Sequence, residues 1–270
     1  MKAIQKLTPD VLDKVWGSPA TEPWLENPEG RKIGEIWFSA REAMPVLVKF
    51  LFTSDRLSVQ VHPDDAYARA YGHERGKTEM WHILRAEPNA TIALGLRERA
   101  TGEQVRAAAL NGRIVEMLHW IAVQAGDTFF VPAGTIHAIG GGLAICEIQQ
   151  LSDVTYRLFD YQREPARPLH LEESLAVAKL APADGRRRTV ALSAGHELLA
   201  ECEHFRTELL RFSGSFRCQA AREPAIYVAI QGEGKIAGET FRAGEAWLVP
   251  GGTQSFEIES ADAAFIIALA

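Results

Sequence analysis

Apolar residues in this chain come mostly in short runs of period two, broken by glycine and proline, which is the pattern of many short β-strands. Residues 44–52 (MPVLVKFLF), 57–62 (LSVQVH), 81–84, 90–94, 120–123, 128–131 and 143–149 are the predicted strands. Helix signals are few. Thr101 caps a predicted helix over 103–110, closed by Asn111-Gly112; 64–71 supplies another after a proline, and 171–180 (LEESLAVAKL) a third. The stretch 181–188, ending in Arg186-Arg187-Arg188, reads as a solvated linker.

An internal repeat organises the pattern. Residues 125–139 read AGDTFFVPAGTIHAI and residues 243–257 read AGEAWLVPGGTQSFE. Each copy has a glycine, five residues, a proline, one residue and a second glycine, with strand-like segments upstream. This predicts a mainly β chain of two related jelly-roll barrels with a few short helices, divided into residues 1–180 and 181–270. The copies differ in one chemically important place, since His137 in the first corresponds to Ser255 in the second. Metal chemistry is therefore expected in the N-terminal barrel and not in the C-terminal one.

Composition narrows the partners. A chain of 270 residues, 47% hydrophobic and 24% charged, has enough apolar side chains for a sizeable core. Its net charge of -6 argues against a nucleic-acid binder, so an anionic substrate needs a local cluster of cations. The longest wholly apolar run, 263–270, is too short to span a bilayer, and residues 1–11 lack the apolar core of a signal peptide. No membrane partner is expected. Cys146, Cys202 and Cys218 show no C-x-x-C spacing and read as small hydrophobes, so a reducing cytoplasm is the expected location.

The chemistry gathers around His137. Gly126-x5-Pro132-x-Gly134-x2-His137 resembles the second conserved motif of the cupin superfamily, in which the glycines and proline build turns around a strand. In Gln60-Val61-His62, residues i and i+2 share a strand face, so Gln60 and His62 point inward together. An inward amide beside an inward imidazole is costly unless something binds them, and a metal satisfies both. Glu79 adds a carboxylate from a neighbouring strand. Two imidazoles, an amide oxygen and a carboxylate suit zinc, and also manganese, iron or cobalt.

QVHPDD at 60–65, GKTEMWHIL at 76–84 and PAGTIHAI at 132–139, followed by Glu147 and Tyr156-Arg157, closely resemble the type I mannose 6-phosphate isomerases in their short bacterial form. Val15-Trp16-Gly17-Ser18 and residues 34–39 (GEIWFS) are similar to that family's opening, and the likeness runs from about residue 14 to 165. The resemblance implies one zinc per chain on Gln60, His62, Glu79 and His137. It also implies contacts to a sugar phosphate from Ser58, Lys77 and Arg157, with Glu147 and Asp153 lining the site. The implied reaction interconverts mannose 6-phosphate and fructose 6-phosphate through a cis-enediol, with Lys77, Arg157, Glu147 and Asp153 as the catalytic candidates. Two other readings of the same scaffold are an iron-dependent dioxygenase, which prefers more histidines, and a non-catalytic sugar-binding protein. Asp64-Asp65 is read as a helix start, His82 as facing away from Glu79, and Trp16, Trp37 and Trp81 as core aromatics.

Overall fold

Strand alternation is realised as three sheets and a helical layer, stacked one on another. The computed structural model describes residues 3–40, 44–220 and 222–269, so Met1, Lys2 and Ala270 of the terminal segments discussed above lie outside it. Within these residues the chain is mainly β with four helices. The central sheet has seven strands in the order Arg186–Arg187, Thr128–Val131, Glu79–Ala86, Leu143–Gln149, Leu47–Thr53, Thr8–Ser18 and Ile33–Ser39. Both faces are covered. Val48, Phe50, Phe52, Cys146 and Ile148 point one way, against Ile226, Val228 and Ile266 of a nine-stranded C-terminal sheet. Leu51, Trp81, Ile83 and Ile145 point the other way, against Ile92, Leu94 and Ile139 of a five-stranded sheet. Burying each such side chain stabilises the fold by roughly 1.5–3 kcal/mol relative to leaving it in water.

The five-stranded sheet runs Tyr156–Phe159, Val59–Val61, His137–Ile139, Thr91–Leu96 and Leu118–Ala122. Val59 and Val61 turn toward the helices and pack with Val105, Ile114 and Leu158, which leaves Gln60 facing the central sheet. The predicted helices form as Asp65–Ala70, Gly102–Asn111 and Leu171–Val177. Asp64 caps the first by accepting from the Tyr67 amide at 2.8 Å, as an acid at a helix start should. Thr101 and Gln104 form a reciprocal capping box on the second, and Gly112 ends it in a left-handed conformation. A one-turn helix, Ile114–Met117, was not predicted.

The C-terminal sheet runs Gln5–Lys6, Ala246–Val249, Ala225–Gln231, Phe256–Leu269, Arg206–Cys218, His196–Glu201 and Val190–Ser193. A hairpin, Glu233–Ile236 with Glu239–Arg242, pairs with the first part of Phe256–Leu269. A register shift between Phe212 and Gly214 interrupts one long strand pair, and the sheet encloses Ile236, Phe241, Trp247, Ile258 and Phe265. Among the described residues no sheet closes on itself. The two barrels expected from the sequence therefore correspond to two facing sheets, joined by side chains, in the first half and one large sheet in the second.

The repeat survives in atomic detail. Gly126 and Gly244 have φ of +91° and +90°, which favours glycine, and Gly134 and Gly252 have +84° and +83°. Thr135 donates its amide to Pro132 O at 3.1 Å, and Thr253 donates to Pro250 O at 3.2 Å. Each half also lends an edge strand to the other. Gln5–Lys6 pairs with Leu248 and Trp247, while Arg186–Arg187 pairs with Phe129 and Thr128. The arginine run is thus not wholly a linker, because Arg186 and Arg187 are held by the ladder and Arg186 also binds Asp127 at 2.6 Å.

Candidate metal and substrate site

The five- and seven-stranded sheets present two rows of polar side chains to each other. On the smaller sheet, Arg157 and His137 are the cross-strand neighbours of Gln60, and His62 follows just beyond the strand. On the larger, Trp81, Glu147 and Lys49 occupy three adjacent strands in register, Trp37 pairs with Lys49 where Ile33–Ser39 also reaches Leu47–Thr53 directly, and Glu79 lies two residues before Trp81. The rows meet where Trp81 packs edge-on against the His137 ring, centroids 5.3 Å apart.

His62, Glu79 and His137 each offer an atom such that all three lie within 4.8 Å of one another, and their side chains are 2, 1 and 1% exposed. His62 Nδ1 lies 2.9 Å from Val154 O, and His137 Nδ1 lies 2.9 Å from Thr135 O. A carbonyl only accepts, so both Nδ1 atoms carry the proton and both Nε2 atoms present lone pairs to the centre. Burial, reinforced by Lys77, pushes His62 down to about 3, and burial likewise lowers His137, so both rings are neutral at pH 7. Burial works to raise the Glu79 pKa, but Lys77 and His62 overturn it and hold the carboxyl well below its usual range.

Three lone-pair donors thus converge with no proton between them. Glu79 Oε1 is 3.3 Å from His62 Nε2, and Oε2 is 3.8 Å from His137 Nε2. Neither Glu79 oxygen nor His62 Nε2 has a well-aligned hydrogen bond, and the 2.9 Å approach of Lys77 Nζ to Glu79 Oε1 is an ion contact. Buried acceptors left in this state are costly, and a cation satisfies all of them. The donor set of two imidazoles and a carboxylate therefore fits a divalent metal. Gln60 extends it: its Nε2 donates to His137 Nε2 at 3.2 Å, and a half-turn of the amide presents Oε1 instead.

Beside this group opens a cleft of about 220 Å³, bordered by Ser58, Gln60, Lys77, Glu147, Asp153 and Arg157. Ser58 donates to Gln60 Oε1 at 3.4 Å. Arg157 is anchored by Nη1 on Pro168 O at 2.9 Å, yet its Nε is buried without a partner. Burial and the nearby Arg167 disfavour its charge, so an anion is the partner this guanidinium lacks. Asp153 lies exposed at the rim. Glu147 is buried, with Oε2 accepting from Trp81 Nε1 at 2.9 Å and Oε1 3.3 Å from Lys49 Nζ. Burial and then Glu79 push its pKa up, against the pull of Lys49 and Lys77. Lys77 keeps its proton, because Glu79 and Glu147 outweigh the burial that opposes its charge.

No family model matches the chain. It is 36% identical over 252 residues to mannose-6-phosphate isomerase ManA of Bacillus subtilis (strain 168), which covers 86% of this chain and 79% of the relative. The chain belongs to the mannose-6-phosphate isomerase family. A crystal structure of the mannose 6-phosphate isomerase from Bacillus subtilis matches with a TM-score of 0.89 and 25% identity over 100% of both chains. A zinc-bound mannose 6-phosphate isomerase shares the fold at a TM-score of 0.78 and 16% identity, with 99% of each chain covered. Nothing in these relatives favours the dioxygenase or the non-catalytic reading.

All nine side chains singled out in the sequence come together around this cleft and metal group. Reasoning from sequence missed others. Lys49 is the only charged residue in MPVLVKFLF and lies on the inward face of its strand, a signal that was available. Lys14, Glu35 and Arg167 also border the cleft. Trp16 and Trp81 are buried core aromatics, although Trp16 also borders the cleft; Trp37, which borders it as well, is half-buried and donates to Glu35 Oε2 at 2.7 Å. His82 faces away from Glu79, as alternation requires, and contacts Thr128 Oγ1 at 2.9 Å. In the second copy Ser255 is exposed and accepts from Arg217 at 3.1 Å.

Proposed function

We infer that this chain is a metal-dependent isomerase that interconverts mannose 6-phosphate and fructose 6-phosphate through a cis-enediol. The reading is carried by one observation: three buried, unprotonated acceptors converge beside a cleft edged with cations. Gln60, His62, Glu79 and His137 hold the ion, which we read as zinc. When bound, it supplies Lewis acidity toward the sugar's C1 and C2 oxygens.

The chain's own residues divide the remaining work. Arg157 binds the anionic end of the substrate, since it is the guanidinium with an unpartnered buried N–H. Lys77 stays protonated beside Glu79 and donates toward substrate oxygens, while the Ser58 hydroxyl orients the sugar. Of the acid–base candidates, Glu147 moves the proton between C1 and C2. Lys77 is held in its charged form and Asp153 stands exposed at the rim, whereas burial brings the Glu147 carboxyl toward the range a base needs. The sheets on either side exclude water from the enediol.

Residues 1–180 form the metal-binding unit in this reading, and residues 181–270 a cupin-like unit without ligands, supported by the matched turns at Gly126 and Gly244. Three free cysteines accord with a cytoplasmic location, and among the described residues no helix is long and apolar enough to cross a membrane. The direct test is a coupled assay of fructose 6-phosphate formation from mannose 6-phosphate, with and without chelator, on the wild type and His62→Ala. Wild-type turnover abolished by chelator, restored by zinc and absent in the variant is expected. Turnover indifferent to both treatments would overturn the metal assignment.

A further inference from the structure

Lys49 is an anomaly of the central sheet. Its strand is otherwise apolar as far as Thr53, its neighbours Val48 and Phe50 face the C-terminal sheet, and its amine is buried with the side chain 5% exposed. A lone buried ammonium is costly, so its surroundings must define what it does. They are specific. Glu147 is its cross-strand partner on one side and Trp37 on the other. Nζ stands 3.3 Å from Glu147 Oε1 and 4.3 Å from the centre of the Trp37 ring, so the indole face closes the side opposite the carboxylate. Glu147 Oε2 is fixed independently by Trp81 Nε1. The carboxylate is thereby held at both oxygens by the two flanking strands.

We propose that Lys49 is a positioning residue for the isomerisation: with the Trp81 indole it locks the Glu147 carboxylate in the orientation that faces the cleft, and Trp37 holds the ammonium in place. This rests on the reading of Glu147 as the group that moves the proton. Lys49 itself borders the cleft, and its role runs through the Glu147 carboxylate. Burial and then Lys77 lower the Lys49 pKa, against Glu147, Glu35 and Glu79, which favour its charge, and Glu79, Lys77 and Glu35 act on Glu147 as well; Lys14 and Arg157 border the same cleft. Lys14 is itself tied to Glu35 at 3.3 Å, so it does not replace Lys49 when that side chain is removed.

The test is a double-mutant cycle of Lys49→Met, Glu147→Gln and the two together, with zinc content and kcat and KM for mannose 6-phosphate measured for each. Lys49→Met should lower kcat ten- to a hundredfold with KM changed less than threefold, and should move the acidic limb of the kcat pH profile upward by about one unit as the carboxylate loses its cation. The double variant, which leaves no unpaired buried charge and so guards against misfolding, should match Glu147→Gln alone within threefold. A double variant whose loss equals the product of the two single losses, at full zinc content, overturns the proposal. A wild type without isomerase activity would instead strike the functional reading on which it rests, and the two failures are thus separable.

Discussion

Stripping the ion from the His62–Glu79–His137 group should lower the melting temperature by many degrees, and His62→Ala should erase that difference. The magnitude follows from the protonation states. Both imidazoles are neutral and the carboxyl is ionised at pH 7, so binding displaces no proton and the intrinsic affinity is expressed in full. With free zinc a thousandfold above its dissociation constant, binding to the folded state alone adds about 4 kcal/mol. For a chain of this size that corresponds to roughly 8–16 °C. Calorimetry at pH 7.5 on chelator-dialysed protein, before and after zinc is restored, reads the shift directly. Titration in two buffers of different ionisation enthalpy should show less than half a proton released per ion. Equal melting temperatures with and without zinc, or a full proton released, would refute the picture of three prepared lone pairs.

Two further outcomes test the framework around the site. Burial, with Arg211, lowers the His82 pKa to about 4 from an unfolded value near 6.5, so the unfolded chain binds more protons between those limits. Stability is then fully present above pH 6.5 and lost as pH falls toward 4, at about 1.4 kcal/mol per pH unit from this residue. Urea unfolding of metal-free His82→Gln should show a pH dependence shallower by that slope, and an unchanged slope would refute the assignment. Gly76 immediately precedes Lys77 and packs against the backbone of Pro63, Asp64 and Asp65. A Cβ there would come within 2.4 Å of the Asp64 carbonyl carbon and 2.6 Å of the Asp65 nitrogen, both backbone. Gly76→Ala should therefore destabilise the chain by about 1–3 kcal/mol and cut kcat at least tenfold by displacing Lys77; wild-type kcat in a folded Gly76→Ala protein would show that the loop yields freely.

Much of this was legible before any coordinates. Period-two alternation placed Thr128–Val131 and Leu143–Gln149 to the residue, because both are short, apolar and bounded by glycine or loop signals. The pair Gln60 and His62 was readable for the same reason, since side chains two apart on a strand share a face whatever the tertiary setting. What alternation does not encode is which sheet a strand joins. Arg186–Arg187 carries only charged residues and gives no strand signal, yet it pairs because Thr128–Val131 leaves an open edge beside it. Ladder closure is equally a property of long-range register, so the two halves read as barrels although their ladders remain open. The site followed the local signals: His62, Glu79 and His137 stood out through motif spacing. Lys49, the one charge in an apolar run, was a signal left unread, whereas Arg167 was hidden by a loop whose course only the folded chain defines.

The exchange of edge strands between the halves has a consequence for how the protein is made. During synthesis Gln5–Lys6 leaves the ribosome long before its partner Trp247–Leu248, which lies far along the same chain. That edge of the C-terminal sheet is therefore completed only after Trp247–Leu248 has been made, and until then the Gln5–Lys6 peptide has no ladder to join. Were the chain cut near residue 180, each fragment would carry a bare strand edge shaped for the other, so the severed pieces would reassociate or adhere to other chains before persisting as separate soluble bodies.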